Sequence, residues 1–404
     1  MNLSVIGIGR VGLPLALAFA SRGASVTGMD INEKFLQMLK EKKMPFIEDG
    51  AEAILSSTLG KSFTVTSSLS EAMKSDNIIL TLGTPVDQHM NPDFSQIDMV
   101  LGNMLPHLKK GHLIILRSTV SPGTIEYVTG FIEENTKFKV GKDIFLAFCP
   151  ERLAEGKAIK ELFELPEIVG ANDEESKKRA VEVFKTIKSE VYTTSAINAE
   201  LLKLFTNMYR YINFAIANEF MVISEQFGAD IYQIVELANK NYPRGGPKKP
   251  GFAAGPCLFK DGFFLTSKIP FPELIAAAWK INETIPSYLV ERVKSFTPIK
   301  GKKIAVLGLS FKSDSDDTRE SLSFKLIKTL KRERAKVFVH DTYVKNDESL
   351  ESVVKDADVL IIAAAHKEYS QKGYEYFRKL AKKDCVVADV WNIFGKSSIV
   401  YKMQ

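Results

Sequence analysis

The stretch Asn2-Leu-Ser-Val-Ile-Gly7-Ile-Gly9-Arg-Val-Gly12-Leu-Pro-Leu-Ala-Leu-Ala-Phe-Ala20 decides the fold. Residues 2–8 form a short apolar run rich in β-branched side chains, which predicts a strand. The run ends in Gly7-x-Gly9-x-x-Gly12, and a helical pattern continues from Gly12 to Arg22. A second strand pattern covers Ser25 to Asp30, which completes a βαβ unit. Leu13 to Ala20 ends in small residues, as an export signal does. No basic stretch precedes it, however, and glycines interrupt the apolar run, so the reading is strand, turn and helix.

In such a unit the first glycine shapes the turn, the second lets the backbone approach a pyrophosphate, and the third lets helix and strand pack closely. Unpaired N–H groups at the helix N-terminus then face the anion. Asp30 follows at the distance where an acidic side chain accepts bonds from a ribose 2′-hydroxyl and repels a 2′-phosphate. The expected cofactor is therefore NAD rather than NADP.

Working outward, further strand patterns fall at Asn77–Thr81, Leu113–Arg117 and Ile144–Phe148, with helical segments between them. This alternation predicts a parallel, doubly wound sheet with ligands at the carboxyl ends of its strands. From about Asn198, apolar residues from Leu201 to Ile223 recur at helical spacing over roughly eight turns. A helix this long and this apolar is expected to join domains and to bury a face against a second subunit. Residues 241–256, rich in Pro and Gly, read as an ordered loop, and Glu273–Lys294 as another helix. Strand patterns resume at Lys303–Gly308, Lys336–Asp341, Asp358–Ala363 and Cys385–Val390. The fold class is thus α/β, with two Rossmann-like doubly wound domains joined by a long central helix and a helical domain. The expected boundaries are 1–197, 198–295 and 296–404.

The 404 residues carry a formal charge of only +5, with 45% hydrophobic and 25% charged residues. That balance suits a soluble protein with a small anionic substrate and gives no concentrated basic face for nucleic acid. No apolar run approaches the ~20 residues that cross a bilayer. Cys149, Cys257 and Cys385 are too dispersed for a disulfide framework and imply thiols in a reducing cytoplasm. His89, His107, His112, His340 and His366 are equally scattered, and no metal site is expected.

Several constellations carry chemistry. Gly83-Thr84-Pro85 and Arg117-Ser118-Thr119 lie at strand ends, where hydroxyls can hold cofactor or water or cap the next helix. Pro150-Glu151-Arg-Leu153-Ala-Glu155-Gly156 places two carboxylates four apart, on one face if the segment is helical. Glu200, Lys203 and Asn207 are polar at helical spacing within an apolar helix; a lysine there calls for an anionic partner or a developing oxyanion. Cys257 follows the Pro/Gly loop and precedes Lys260 and Asp261. A nearby lysine favours thiolate, and a carboxylate can position water.

Taken together these motifs resemble the nucleotide-sugar 6-dehydrogenases, the UDP-glucose/GDP-mannose dehydrogenase family, along essentially the whole chain. Gly255-Pro-Cys257-Leu-Phe-Lys260-Asp261, Gly308-Leu-Ser-Phe311-Lys312 and Asp317-Thr-Arg319-Glu-Ser complete the series. The resemblance implies a two-step oxidation of a sugar C6 hydroxyl to a uronate through a thiohemiacetal and a thioester on Cys257. It implies that Lys203 and Asn207 stabilise the oxyanion, that Asp261 and Thr119 handle water, and that Glu151 is the active-site glutamate. Gly7, Gly9, Val11, Gly12, Asp30, Thr84, Ser118 and Thr119 are expected at the cofactor. Glu151, Leu153, Glu155, Lys203, Asn207, Phe311 and Lys312 are expected at the nucleotide sugar, with Arg244 supplied to the neighbouring subunit of a homodimer. One departure concerns the loop before the cysteine. Where family members carry Gly-x-Gly-x-Gly-Gly, this chain has Gly251-Phe-Ala-Ala-Gly255-Pro256. UDP-glucose, UDP-N-acetylated hexosamines and GDP-mannose stay open as substrates, a UDP-sugar favoured. Two other readings are a one-step NAD dehydrogenase of the 6-phosphogluconate or hydroxy-acid type and a non-catalytic sugar-nucleotide binder. Neither needs Lys203, Asn207, Cys257 and Asp261 together.

Overall fold

The computed structural model describes residues 1–404 except 89–90, 189, 267–268, 270–271 and 404, and, within the described elements, every side chain but that of Phe259. His89 lies outside the described residues. The chain groups into two compact units, 1–206 with 263–269, and 207–262 with 270–404. Most of the helical stretch read as a separate central part falls in the second.

The first unit is built on eight strands: β1 Asn2–Ile6, β2 Ser25–Met29, β3 Phe63–Thr66, β4 Asn77–Leu80, β5 Leu113–Leu116, β6 Phe145–Phe148, β7 Glu167–Gly170 and β8 Val191–Thr194. Their order is β3-β2-β1-β4-β5-β6-β7-β8. All neighbours are parallel except β6 and β7. Strand β5 (Leu-Ile-Ile-Leu) and β6 (Phe-Leu-Ala-Phe) are buried throughout, as a parallel sheet covered on both faces requires. The order reverses between β1 and β4, and that switch point is where such sheets hold ligands. The helix after β1, Gly12–Ser21, is buried from Gly12 to Ala20. Pro14 is tolerated there because it occupies the first turn, where its missing N–H has no intrahelical partner.

The second unit holds β9 Lys303–Leu307, β10 Lys336–His340, β11 Val359–Ile362, β12 Val386–Ala388 and β13 Val400–Lys402, ordered β10-β9-β11-β12-β13. Only β12 and β13 are antiparallel. The expected pair of doubly wound α/β sheets with helices between them is what the chain forms. Strands β3, β7, β8 and β13 were not expected from the sequence; β8 (Val-Tyr-Thr-Thr) is half-exposed along its length and carries no apolar run.

The long helix spans Ala196–Gln226 and the later one Glu273–Lys294. Phe205, Tyr209, Ile216, Phe220 and Ile223 on the long helix are exposed, as is Phe227 just past its end. At 100° per residue these positions fall within about 60° of one another, so they form one apolar stripe. The opposite face is buried around Asn218. Its Nδ2 donates to Asn282 Oδ1 at 2.9 Å, and its Oδ1 accepts from Gly251 N at 3.0 Å. Asn282 Nδ2 in turn donates to Tyr211 O at 3.1 Å. A buried polar chain with its partners in place rigidifies what it joins, here the start of the loop leading to Cys257. Among the described residues, no helix is long and apolar enough to cross a membrane.

Candidate active site

At the β1–β4 switch point the glycine turn is closed wherever a side chain would intrude and open where a ligand would approach. A Cβ on Gly12 would sit 2.3 Å from Gly7 O and 2.5 Å from Thr81 Oγ1, and one on Gly7 would sit 2.6 Å from Thr81 O. A Cβ on Gly9 would meet nothing within 4 Å. Val11 occupies the N-cap of the following helix, and no side chain caps that terminus. Leu13 N already donates to Gly9 O at 2.9 Å and Pro14 has no N–H, which leaves Val11 N and Gly12 N for an anion. Asp30 follows β2, with Oδ1 accepting from Asn32 N at 3.0 Å. These residues fit a dinucleotide with its pyrophosphate at Gly9 and its ribose at Asp30.

The neighbouring strand ends supply Thr84, Ser118 and Thr119. Ser118 Oγ donates to Leu82 O at 2.6 Å, tying the β5 loop to the β4 loop. Of the two β5-loop residues, neither Ser118 nor Thr119 is the N-cap of the next helix, Thr124–Asn135, a place that Gly123 takes. Glu200 closes that helix end from the long helix, its carboxylate accepting from Gly123 N at 2.7 Å and Ile125 N at 2.9 Å. The first member of the polar series Glu200, Lys203, Asn207 is thus occupied in a long-range cap. Lys203, one turn on, is buried.

The segment after β6 corrects one expectation. Glu151 and Glu155 do not share a helical face, because residues 151–157 are irregular and the helix begins at Ala158. Glu151 turns inward: Oε1 accepts from Leu153 N at 2.5 Å, and Oε2 accepts from Arg117 Nε at 3.2 Å. Leu153 packs on the core of the first unit. Arg117 was read only as the residue before two hydroxyls. It is 1% exposed, donates to Cys149 O at 3.2 Å, and pairs with Glu167 Oε1 at 2.8 Å. Burial works against its charge, but Glu167 and Glu151 outweigh that and raise its pKa. Burial, with Glu167 beside it, drives the Cys149 thiol well above its ordinary value, which removes it as a nucleophile. Glu48 holds the far end of the segment, accepting from Gly156 N at 2.9 Å and Ala158 N at 2.6 Å. No local pattern announces Glu48 or Glu167; both act across more than ten residues of sequence.

In the second unit, Cys257 is exposed and immediately precedes the helix Leu258–Thr266. Its carbonyl accepts from Lys260 N and Asp261 N at 3.2 and 3.0 Å. The thiol therefore stands at a helix N-terminus, which favours negative charge. Asp261 is fully buried; Oδ2 accepts from Asn207 Nδ2 at 2.6 Å and Oδ1 lies 3.5 Å from Lys260 Nζ. The fold thus joins the amide expected at the oxyanion to the carboxylate expected at the water, one helical turn from the thiol. The loop in front is packed tightly. A Cβ on Gly251 would lie 2.3 Å from the Trp391 ring, and one on Gly255, where φ is +106°, 2.7 Å from the Phe311 ring. Those two glycines are required by aromatic walls, whereas Ala253 and Ala254 are simply buried. Phe311 is thereby set against the cysteine loop, with Lys312 beside it in sequence. Arg244 is exposed and stacks 5.3 Å from the Tyr242 ring. Among the described residues no three His, Cys, Asp or Glu side chains converge to hold a metal.

A glycine-turn dinucleotide crevice on one doubly wound sheet, and a second sheet whose loop meets a cysteine-bearing segment, define an NAD-dependent oxidoreductase of nucleotide sugars. The chain belongs to the UDP-glucose/GDP-mannose dehydrogenase family: its models match as the NAD binding domain at residues 1–188, the central domain at 197–284 and the UDP binding domain at 305–396. Among relatives, the UDP-N-acetyl-D-mannosamine dehydrogenase of Methanocaldococcus jannaschii is 33% identical, covering 98% of this chain and 93% of its own. The solved UDP-D-ManNAc dehydrogenase of Pyrococcus horikoshii superposes with a TM-score of 0.90 at 31% identity, over 96% of this chain and 95% of that one. The native UDP-N-acetyl-mannosamine dehydrogenase of Staphylococcus aureus gives 0.87 at 32% identity, over 100% and 97%.

Proposed function

We propose that this enzyme oxidises the C6 hydroxyl of a UDP-linked N-acetylated hexosamine, UDP-N-acetylmannosamine foremost, to the uronate in two steps. The observation that carries the two-step reading is the Asn207–Asp261 hydrogen bond one turn from an exposed cysteine at a helix N-terminus. The names of the relatives support the substrate. Bound NAD⁺ supplies the hydride acceptor, one equivalent for each oxidation. Loss of the first hydride and the hydroxyl proton gives the C6 aldehyde. Cys257 forms a C–S bond to that carbon, and Lys203 with Asn207 stabilises the oxyanion that develops. Loss of the second hydride leaves a thioester. Asp261 and Thr119 orient a water that replaces sulfur at the carbonyl, releasing the carboxylate and restoring the thiol. Phe311 and Lys312 hold the nucleotide, and Glu151, Leu153 and Glu155 border the sugar.

The test is NADH formed per nucleotide sugar consumed, over UDP-N-acetylmannosamine, UDP-N-acetylglucosamine, UDP-glucose and GDP-mannose. Two NADH per turnover are expected, with the highest kcat/KM on UDP-N-acetylmannosamine. One NADH per turnover would return the one-step dehydrogenase reading; a preference for GDP-mannose would remove the UDP-sugar.

We also infer that a second copy of the chain covers the Phe205–Phe227 stripe, and that the exposed Arg244 serves that partner's site. Phe220→Glu should convert a sedimenting dimer to monomer. A wild-type monomer at micromolar concentration would refute the pairing.

A further inference from the structure

The second sheet repeats the strand arrangement of a dinucleotide site, and Asp341 holds the position after its second strand that Asp30 holds in the first unit. In such a site that carboxylate faces a ribose. Here it is turned inward and saturated. Oδ2 accepts from Leu309 N at 2.5 Å, Ser310 N at 3.1 Å and His366 Nε2 at 3.0 Å. Oδ1 accepts from Tyr343 N at 2.7 Å and Val344 N at 3.0 Å. Both side chains of the Asp341–His366 pair are 0% exposed. Burial alone would raise the carboxyl of Asp341; the bonds from His366 and the backbone offset this and pull it down to about 2.

His366 extends the clamp. Its Nδ1 accepts from Asp314 N at 2.8 Å, which leaves the ring proton on Nε2 for Asp341. Asp314 sits at φ +55°, a conformation that a non-glycine residue adopts only when held. Its Oδ1 accepts from Lys367 N at 2.9 Å and Tyr343 Oη at 3.2 Å. Between these anchors, Ser310 Oγ donates to Lys312 O at 2.7 Å, and Phe311 N donates to Asp317 O at 2.9 Å. The segment fixed at 309, 310, 312 and 314 is the one carrying Phe311 and Lys312.

We propose that Asp341 and His366 are positioning residues for nucleotide-sugar binding: the carboxylate that would hold a ribose in a dinucleotide site instead clamps the Phe311–Lys312 segment, so the second sheet is built for a nucleoside diphosphate and not for a second dinucleotide. This rests on the reading that Phe311 and Lys312 contact the nucleotide sugar. The experiment measures UDP affinity by calorimetry, KM for the nucleotide sugar and for NAD⁺, kcat and Tm in the full-length enzyme. The variants are His366→Leu, His366→Asn, Lys312→Ala and the double variant Lys312→Ala/His366→Asn. Loss of a buried hydrogen bond that orders the segment should weaken UDP and raise the sugar KM about tenfold in His366→Leu, with NAD⁺ KM and kcat within about threefold. His366→Asn, whose amide oxygen can accept from Asp314 N, should recover part of that. Its effect should largely vanish in the Lys312→Ala background, because both changes act through one contact. Unchanged UDP affinity in a folded His366→Leu, or full additivity in the double variant, would overturn the positioning role while leaving Lys312 as a contact. Unchanged affinity in Lys312→Ala would overturn the reading of the segment itself, and the proposal with it.

Discussion

Cys257→Ser is expected to lower uronate formation by at least ~10³-fold while leaving the fold and NAD⁺ affinity intact. The serine hydroxyl is nearly isosteric but is a far weaker nucleophile and a poorer leaving group at neutral pH, so both formation and hydrolysis of the covalent intermediate fail. The side chain at this position is exposed at the start of the helix Leu258–Thr266, so substitution meets no packing penalty that would blur the result. The first hydride transfer needs no thiol. A rapid-mixing experiment should therefore show at most one NADH per active site in the variant, against two per substrate in the wild type. Asp261→Asn should fail differently. It keeps the shape of the contact to Asn207 but removes the charge expected to act on water, so an acylated enzyme should accumulate that is detectable by intact mass. Wild-type uronate production by Cys257→Ser would end the covalent reading.

Where the sequence was legible, one physical signal dominated. Runs such as Leu113–Leu116 and Phe145–Phe148 are apolar because both sheet faces are covered, and the helix Glu273–Lys294 lies where its pattern put it despite Pro286. Gly7 and Gly12 announced themselves because a backbone oxygen leaves no room for a Cβ. The opaque parts are those in which a residue's partner is remote in sequence. Glu200 looks like one step of a polar seam with Lys203 and Asn207, yet its carboxylate closes a helix end 77 residues upstream at Gly123. The i, i+4 spacing of Glu151 and Glu155 suggested a helix. Pro150 at its start, Gly156 at φ +78° and the long reach of Glu48 hold the segment irregular instead. Asp341 has the sequence position of a ribose-binding acid, and only the fold reveals that His366 and four backbone N–H donors have claimed it.

Arg117 is where such a hidden partnership matters most, and Arg117→Met should destabilise the protein by about 3–5 kcal/mol at pH 7. The guanidinium is 1% exposed and serves three groups: Glu151, Glu167 and the carbonyl of Cys149. A methionine fills much of its volume but leaves two buried carboxylates without their cation, and that residue charge carries the cost rather than lost packing. Lys188 compensates only in part: its Nζ donates to Glu161 O at 3.3 Å, with no hydrogen bond to either carboxylate, and burial draws it down to about 8 against the opposing pull of Glu167 and Glu151. For a unit of this size the loss corresponds to a Tm fall of roughly 10 °C. Arg117→Lys should fall between, since an ammonium can meet one carboxylate but cannot fork to three partners. Activity should drop further than stability explains, because Glu151 Oε1 also holds Leu153 N in the segment proposed to border the sugar. Thermal melts at pH 7, read beside kcat/KM at a temperature where the variant is folded, decide the matter. A Tm within about 2 °C of wild type at pH 7 would mean that the two carboxylates have another cation, and the assignment of Arg117 as their anchor would fail.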